Sequence, residues 1–204
     1  MSQAERAISL DLDGVVIWRP PFQLGAFTSR HVKRRGAQIF NPPQEVPVLS
    51  REIKNDHLRV GEMVSFLMHS IRRVNGSVPD FLDTYSSVDI YGNTGRANRT
   101  PWVNMTMHTL QRAGVAEVFK DVYFKPPGTK TMLSKLAAID ELRRKYGVVT
   151  HLDDNPADAL PIAAFFQDVQ VVIVQDLTTG LLYSREEAEK YPNVKRVASL
   201  KKLV

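Results

Sequence analysis

The sequence predicts an α/β fold with a doubly wound, mainly parallel sheet, interrupted by a small, mainly helical insertion. Apolar strand signals alternate with helical stretches over most of the chain, which is the pattern of a parallel sheet covered by helices. Between the first two strand signals lie about seventy residues, far more than a crossover connection needs. We therefore expect one core formed by residues 1–19 and 76–204, with residues 20–75 as the insertion.

The first strand signal, residues 7–12, is an apolar run of the kind found in strands buried in a parallel sheet. Further apolar stretches predict strands at 87–91, 118–124, 147–152 and 169–174. The stretches between them predict helices at 101–112, 131–146 and 157–166. In the second of these helices, Leu133, Leu136 and Ile139 fall near a helical period, with charged residues on the outer side.

The insertion is predicted to contain one clear helix, at about 59–74. An apolar stripe runs along it, formed by Val60, Met63, Val64, Leu67, Met68 and Ile71. We expect this stripe to form the core of a small helical subdomain. The alternative is a basic amphipathic helix at a membrane surface, because Arg72 and Arg73 follow the stripe directly.

The composition excludes several kinds of site. The chain has no cysteine, so disulfides, thiolate metal sites and a cysteine nucleophile are impossible, and a reducing, cytoplasmic location is expected. The first residues lack the long apolar core of a signal peptide. No run of about 18 apolar residues is present, so we expect no transmembrane segment.

The net charge of +5 comes from 27 basic and 22 acidic residues, and the basic excess is clustered. The clusters lie at 30–35, at 72–73, at Arg96 and Arg99, and at 195–202. Such patches favour an anionic partner, which is a phosphorylated small molecule, a nucleic acid or an acidic membrane surface. The alternative is that these residues are ordinary solvated helix faces.

Two carboxylates interrupt the first strand near its end. Asp11 and Asp13 lie two residues apart, and Gly14 follows them directly. If the strand stops there, both acids emerge at the carboxyl edge of the sheet, where open α/β sheets bind their ligands. Two like charges side by side are costly to bury unless a cation holds them, so the pair predicts a Mg²⁺ site. A turn with solvated acids before the glycine is the alternative.

Other polar side chains are predicted at the same edge of the sheet. Thr94 follows the second strand, Lys125 and Lys130 follow the third, and Asp153, Asp154 and Asp158 follow the fourth. This set resembles the motifs of the haloacid-dehalogenase (HAD) superfamily of phosphatases and phosphotransferases. Asp11-Leu12-Asp13-Gly14-Val15 matches the first motif throughout, and Asp153-Asp154-Asn155-Pro156-Ala157-Asp158 satisfies both acidic forms of the fourth. The resemblance covers about residues 7–16 and 87–203 and leaves most of the insertion unmatched.

The resemblance implies a role for each of these residues. Asp11 would be the nucleophile that forms an aspartyl-phosphate, and Asp13 would protonate the leaving oxygen and later activate water. Thr94 would donate a hydrogen bond to a phosphoryl oxygen. A lysine would neutralise the charge of the intermediate, and both Lys130 and Lys125 are candidates, with Lys130 slightly preferred.

The resemblance also implies the metal ligands. Mg²⁺ would be held by the Asp11 carboxylate, the Asp13 backbone carbonyl and an acid of the fourth motif. Asp154 is the first choice for that acid, with Asp153 or Asp158 in support, although one of the three acids could instead cap a helix.

The insertion lies where the superfamily places its first type of cap, which closes over the site and supplies specificity. Trp18, Arg19, Phe22 and Arg30 are therefore candidate substrate contacts. His151 lies inside the fourth predicted strand, and we interpret it as a buried, hydrogen-bonded core residue.

These motifs together predict a cytoplasmic, Mg²⁺-dependent phosphatase that hydrolyses a phosphomonoester through an aspartyl-phosphate. Asp13 favours phosphoryl transfer over dehalogenation, because dehalogenases of the superfamily normally lack this second acid. The basic insertion suits a polyanionic substrate such as a nucleotide or a sugar phosphate. The alternative function is a non-catalytic HAD-fold binding or scaffold protein that uses the basic insertion to hold nucleic acid or another anionic partner.

Overall fold

The structure, a computed structural model, describes residues 6–18, 45–58, 60–174 and 189–204. Within these residues, six strands form one sheet in the order β3-β2-β1-β4-β5-β6, and all neighbouring strands are parallel. The strands are β1 Arg6–Asp11, β2 Asp89–Ala97, β3 Phe119–Lys125, β4 Val148–Asp153, β5 Gln170–Val174 and β6 Val194–Val197. The predicted α/β fold with a parallel, doubly wound sheet is confirmed.

Helices cover both faces of this sheet. They are α1 Val60–Ser70, α2 Val78–Thr84, α3 Thr100–Arg112, α4 Thr131–Lys145 and α5 Pro156–Phe165. On one face, α4 and α5 bury an apolar cluster that includes Leu136 and Leu160. On the other face, α2 and the end of α3 bury a second cluster around Phe81 and Leu110. Burial of both faces explains why the strand signals in the sequence are nearly continuous apolar runs.

The direction of strand addition reverses beside β1. From β1 the chain adds β2 and β3 on one side, and it then returns to add β4, β5 and β6 on the other. The strand β1 is therefore flanked by β2 and β4. The carboxyl ends of these three strands border the crevice in which open α/β sheets bind their ligands.

Strand β2 is longer than the sequence signal indicates. The apolar stretch 87–91 predicts a short strand, but β2 continues to Ala97. It continues because its later residues remain paired, with Asn93 facing β1 on one side and β3 on the other. Thr94 and Arg96 consequently lie within a strand, and both are buried.

Strand β6 has no counterpart among the predicted strands. Its sequence, Val-Lys-Arg-Val, overlaps the basic cluster 195–202 and contains no apolar run. Among the described residues it pairs with β5 alone, so it is the edge strand of the described sheet and needs to bury only part of its surface. A charged residue such as the exposed Lys195 also protects such an edge against pairing with another chain.

The apolar stripe of α1 is exposed, so the expectation that it forms the core of a helical subdomain is wrong. The stripe residues retain between 49% and 84% of their accessible surface; they are Val60, Met63, Val64, Leu67, Met68 and Ile71. Helix α1 instead turns its other face to the core, where Phe66 and His69 pack edge-on against Trp102 of α3. None of the helices in the described ranges has the length and apolar character needed to cross a membrane.

The two ends of the insertion are joined to each other next to the predicted site. Backbone hydrogen bonds with N···O distances of 2.8 Å connect residues 16–18 to residues 73–75, which run antiparallel. This pairing places Arg72 beside the turn that carries Asp13. The division of the chain at residues 20 and 75 stays a prediction, because residues 19–44 lie outside the described residues.

Candidate active site

A buried ion network lies at the carboxyl ends of β1 and β4. The ammonium of Lys135, on α4, lies 2.6 Å from Asp153, 3.0 Å from Asp11 and 3.5 Å from Asp158. The side chains of Lys135, Asp11 and Asp153 are at most 2% exposed. The network therefore holds four charged groups in a region from which water is largely excluded.

His151 supports this network from within β4. Its Nε2 lies 3.2 Å from Asp153 Oδ2, and its Nδ1 lies 3.1 Å from the hydroxyl of Ser9 on β1. The backbone N–H of Asn155 donates to the other oxygen of Asp153 at 2.8 Å. The interpretation of His151 as a buried, hydrogen-bonded residue is confirmed, and its partner is an acid of the site.

The charges of the network stabilise one another. Burial opposes the charge of Lys135, but the carboxylates of Asp11, Asp153 and Asp158 raise the pKa of its ammonium well above the usual value. Burial also opposes the ionisation of Asp153, but Lys135 and His151 hold the pKa of that carboxyl well below its usual range. Lys135 is thus charged and Asp153 is ionised. The network places three carboxyl groups around one ammonium, which is a formal excess of negative charge at this edge of the sheet.

Asp13 is held by two arginines. Arg96 of β2 donates from Nε to Asp13 Oδ2 at 2.9 Å and from Nη2 to Oδ1 at 2.7 Å. Arg72 donates from Nη1 to Asp13 Oδ1 at 3.1 Å. The hydroxyl of Thr94 donates to Asp13 Oδ2 at 3.4 Å and accepts from the backbone N–H of Arg96 at 3.2 Å. All four residues are buried, so Asp13 has a fixed orientation.

One cavity of about 550 Å³ is lined by residues from both groups of contacts, namely Asp11, Asp13, Arg72, Arg96, Lys135 and Asp158, and its size suits a small-molecule ligand. Glu62, Ser65 and His69 of α1 form part of its wall, together with Trp102 of α3. Arg99 binds both carboxylate oxygens of Glu62, at 2.6 and 2.8 Å, which ties α1 to the start of α3. The described end of the insertion therefore contributes one wall of the cavity.

Three carboxylates at this edge fit a divalent cation. Asp11, Asp153 and Asp154 each offer one oxygen, and these oxygens lie within 4.8 Å of one another. Hard cations such as Mg²⁺ prefer oxygen ligands, and the excess of negative charge favours a second cation beside Lys135. In the part of the chain that the structure describes, this is the one cluster of that kind.

The other two predicted metal residues lie differently. Asp158 is outside the cluster and accepts from the side-chain amide of Asn155 at 2.9 Å. The Asp13 carboxylate is turned to its arginines. The metal contact predicted for Asp13 is through its backbone carbonyl, and it stays a prediction.

Gly14 lets the Asp154 carboxylate approach the turn after β1. The φ of Gly14 is +104°, a conformation that residues with a side chain rarely adopt. A Cβ at this position would lie 2.0 Å from Asp154 Oδ2. Any other residue would displace the carboxylate or distort the turn.

The lysine that contacts the acids of the site is a different residue from the two predicted lysines. Lys125, at the end of β3, lines the cavity and is half-buried, and this burial lowers its pKa. Lys130 lies at the start of α4 and is exposed. The lysine paired with Asp11 is Lys135, which the sequence analysis does not name.

The candidate substrate contacts in the insertion are largely beyond what the structure describes. Trp18 is half exposed. Arg19, Phe22 and the basic cluster 30–35, which includes Arg30, lie outside the described residues.

Three arginines that the sequence analysis counts as basic clusters do not form a basic surface. Arg72 and Arg96 are buried against Asp13, and Arg99 is buried against Glu62.

Sequence reasoning missed Lys135, Arg96 and Arg72 as residues of the site. Lys135 shares a helical stripe with Ala138 and Leu142, so its position on the buried face of α4 could have been recognised. Arg96 lies two residues after Thr94 on the same strand, which places both on one face of the sheet. No local signal points to Arg72, because it lies 59 residues after its partner Asp13.

Comparison with known proteins supports the fold. No protein-family model matches the sequence, and no curated protein matches it either. A predicted phosphoglycolate phosphatase from Haemophilus somnus is 15% identical, with a TM-score of 0.56, and the match covers 100% of this chain and 98% of that one. YfnB of Bacillus subtilis, described as a HAD hydrolase and solved with bound magnesium, is 10% identical with a TM-score of 0.57, over 98% and 97% of the two chains.

A third similar structure is Protein Tyrosine Kinase A of Mycobacterium tuberculosis, which is 16% identical with a TM-score of 0.54, over 99% of this chain and 97% of that one. Identities this low establish a fold and not an activity, and the descriptions of these three proteins differ. At the level of the fold, the resemblance found in the motifs is confirmed: this chain has the fold of the haloacid-dehalogenase superfamily.

Proposed function

We propose that the protein is a Mg²⁺-dependent phosphatase that hydrolyses a phosphomonoester through an aspartyl-phosphate on Asp11. The observation that carries this proposal is the convergence of Asp11, Lys135, Asp153 and Asp154 at one buried edge of a HAD fold. Similar structures described as a phosphoglycolate phosphatase and as a magnesium-bound HAD hydrolase support it.

In the proposed reaction, the Asp11 carboxylate attacks phosphorus in line with the leaving oxygen. Asp13 must first take up a proton, which it gives to that oxygen as the P–O bond breaks, and it regains a proton from the water that hydrolyses the aspartyl-phosphate. Lys135 neutralises negative charge beside Asp11, a role for which its contact at 3.0 Å qualifies it better than the exposed Lys130. Thr94 is assigned to a phosphoryl oxygen.

The metal ligands that we propose are the carboxylates of Asp11 and Asp154 and the backbone carbonyl of Asp13. Asp153 supports them, because its oxygens already accept hydrogen bonds from Lys135 and from the backbone of Asn155. When bound, Mg²⁺ supplies positive charge across the phosphoryl oxygens.

The proposed substrate is a phosphorylated small molecule, and a cavity of about 550 Å³ supports this size class. Lys125 provides a positive charge on the wall of that cavity, apart from the acids that Lys135 contacts. We also keep the cytoplasmic location as a proposal, supported by the absence of cysteine from the sequence. The burial of Arg72, Arg96 and Arg99 gives no support to the alternative of a basic nucleic-acid surface.

The test is the release of p-nitrophenol from p-nitrophenyl phosphate, with and without Mg²⁺, by the parent and by Asp11→Asn. We expect Mg²⁺-dependent turnover that Asp11→Asn abolishes. The matched control is Asp168→Asn, because Asp168 is an exposed acid whose partner, Arg143, lies outside the site. Turnover that survives Asp11→Asn would contradict the mechanism, and a parent inactive on this substrate and on a panel of phosphometabolites would contradict the function.

A further inference from the structure

We propose that Lys125 binds a second anionic group of the substrate, so that the substrate is a small phosphomonoester whose organic part carries a carboxylate or another phosphate. The inference rests on the proposed function, which it deepens by naming a substrate class. It depends on a contrast within the cavity: among the described residues of the wall, Lys125 is the one lysine or arginine without an acidic partner.

The other lysine and the arginines of the wall are already paired with carboxylates. Arg72 and Arg96 contact the Asp13 carboxylate at 3.1 and 2.7 Å, and both side chains are 3% exposed. Lys135 lies within 3.5 Å of three carboxylates. An anionic group of a ligand would have to displace one of these carboxylates before it could pair with any of the three cations.

Lys125 differs from these three residues in its surroundings. Its side chain is half-buried, and it forms no ion pair and no side-chain hydrogen bond with any described residue. Burial alone accounts for the lowered pKa of its ammonium. A partly buried charge without a partner destabilises the folded protein, and an anionic group of a ligand would offset that cost.

The backbone of Lys125 is held in one place. Lys125 pairs with Ala97 of β2, and its carbonyl accepts a hydrogen bond from the backbone N–H of Asn98 at 2.7 Å. Two prolines follow it directly, and each proline restricts the backbone around it. The side chain therefore starts from a fixed point at the carboxyl end of β3, on the wall that it shares with the acids of the site.

A role in recognition suits Lys125 better than a role in the chemistry, because another lysine stands beside the proposed nucleophile. Lys135 lies 3.0 Å from Asp11, so the transferring phosphoryl group already has a cation next to it. The cavity of about 550 Å³ is in the size range of sites that enclose whole small molecules, so it has room for the organic part of a substrate as well.

The experiment compares phosphomonoesters that differ in the group at the far end of the same short chain. Ethyl phosphate ends in a methyl group, phosphoglycolate in a carboxylate and phosphoethanolamine in an ammonium. We expect kcat/KM to be about 10-fold or more higher for phosphoglycolate than for ethyl phosphate, and lowest for phosphoethanolamine. Longer phosphorylated hydroxy acids test the distance to Lys125, and bisphosphates of the matching diols distinguish a second phosphate from a carboxylate.

Variants of Lys125 then test which residue causes the preference. Lys125→Met should reduce the preference for phosphoglycolate over ethyl phosphate to within about 2-fold, mainly by raising the KM for phosphoglycolate. Lys125→Arg keeps the charge and should keep part of the preference. Lys130→Met is the matched control, because Lys130 is exposed and is not among the described residues that line the cavity.

Binding of phosphonates, which cannot be hydrolysed, tests the inference without turnover. Phosphonopropionate has the shape of phosphoglycolate, and propylphosphonate has that of ethyl phosphate. Calorimetry in Mg²⁺ should show about 10-fold tighter binding of phosphonopropionate to the parent, and Lys125→Met should remove this difference.

No preference for any ester with a second anionic group, or a preference that survives Lys125→Met, would overturn the inference. An inactive parent that binds phosphonopropionate through Lys125 would refute the proposed function alone. An active parent that does not distinguish the esters would refute the role of Lys125 alone.

Discussion

Replacing Lys135 by methionine tests whether one buried lysine holds the acids of the site together. Methionine keeps most of the length of the side chain and removes only its charge, so the packing of α4 is largely retained. In the parent, three carboxylates lie within 3.5 Å of the ammonium, and the lysine and its two nearest partners, Asp11 and Asp153, are almost completely buried. The variant therefore leaves these carboxylates close together without their shared cation.

The size of the effect follows from this burial. Removing one partner of a buried ion pair costs about 3–5 kcal/mol, because the remaining charge is left uncompensated. In a protein of 204 residues, 1 kcal/mol corresponds to about 2–4 °C in Tm, so a fall of about 6–20 °C is expected. Lys130→Met is the matched control on the same helix, and it should change stability by less than about 0.5 kcal/mol because Lys130 is exposed.

The assay is thermal unfolding in EDTA and in Mg²⁺, together with the turnover of p-nitrophenyl phosphate. A divalent cation bound only by the folded protein stabilises it by about 2.7 kcal/mol at a hundred times its Kd. Since the acids of Lys135→Met carry more uncompensated charge, Mg²⁺ should raise its Tm by more than it raises that of the parent. Activity should fall in Lys135→Met and persist in Lys130→Met.

The interaction between Lys135 and Asp153 also predicts how the stability of the protein changes with pH. Lys135 and His151 depress the pKa of Asp153, so the stability from that carboxylate is present above its unfolded pKa of about 3.9 and is lost as the pH falls toward the folded value. The gap in Tm between the parent and Lys135→Met should therefore narrow below about pH 4. A variant with the Tm of the parent at pH 7, or loss of activity in Lys130→Met alone, would refute the reasoning.

Three further substitutions test other parts of the site and of the insertion. Gly14→Ala should abolish Mg²⁺-dependent activity and lower the Tm by more than Gly114→Ala does. Both glycines have positive φ, but only at Gly14 would the new Cβ collide, at 2.0 Å from Asp154, so Gly114→Ala should cost only about 1–2 kcal/mol. Lys125→Met should raise the KM about 10-fold for substrates with a second anionic group and leave the KM for p-nitrophenyl phosphate unchanged. An equal change in the KM for both kinds of substrate would show that Lys125 does not recognise the second anionic group. Leu67→Glu should leave the free energy of unfolding within about 0.5 kcal/mol of that of the parent, because Leu67 is already 60% exposed. A large fall in this free energy would show that the apolar stripe is covered.

The fold was predictable because the local sequence of most of its strands identifies them as strands. The run at 7–12 and the run at 169–174 are buried on both faces, so their composition alone marks them as strands of a parallel sheet. Strand β6 has no such composition, because an edge strand pairs on one side and can carry charged residues such as the exposed Lys195. The prediction that the α1 stripe is buried was wrong for a different reason. Periodicity shows which residues share a face of a helix, but it does not show which face meets the core.

The acids of the site were predictable and its cations were not, and the lengths of the side chains explain the difference. The side chain of an aspartate such as Asp11 or Asp153 is short, so the residue must lie at the end of the strand next to the site. There it interrupts the apolar run, and the interruption can be recognised in the sequence. Arginine and lysine reach much further from the backbone, so their place in the sequence is only loosely tied to the place of their charge. Lys135 reaches the acids from inside α4, and Arg72 reaches Asp13 across 59 residues of sequence.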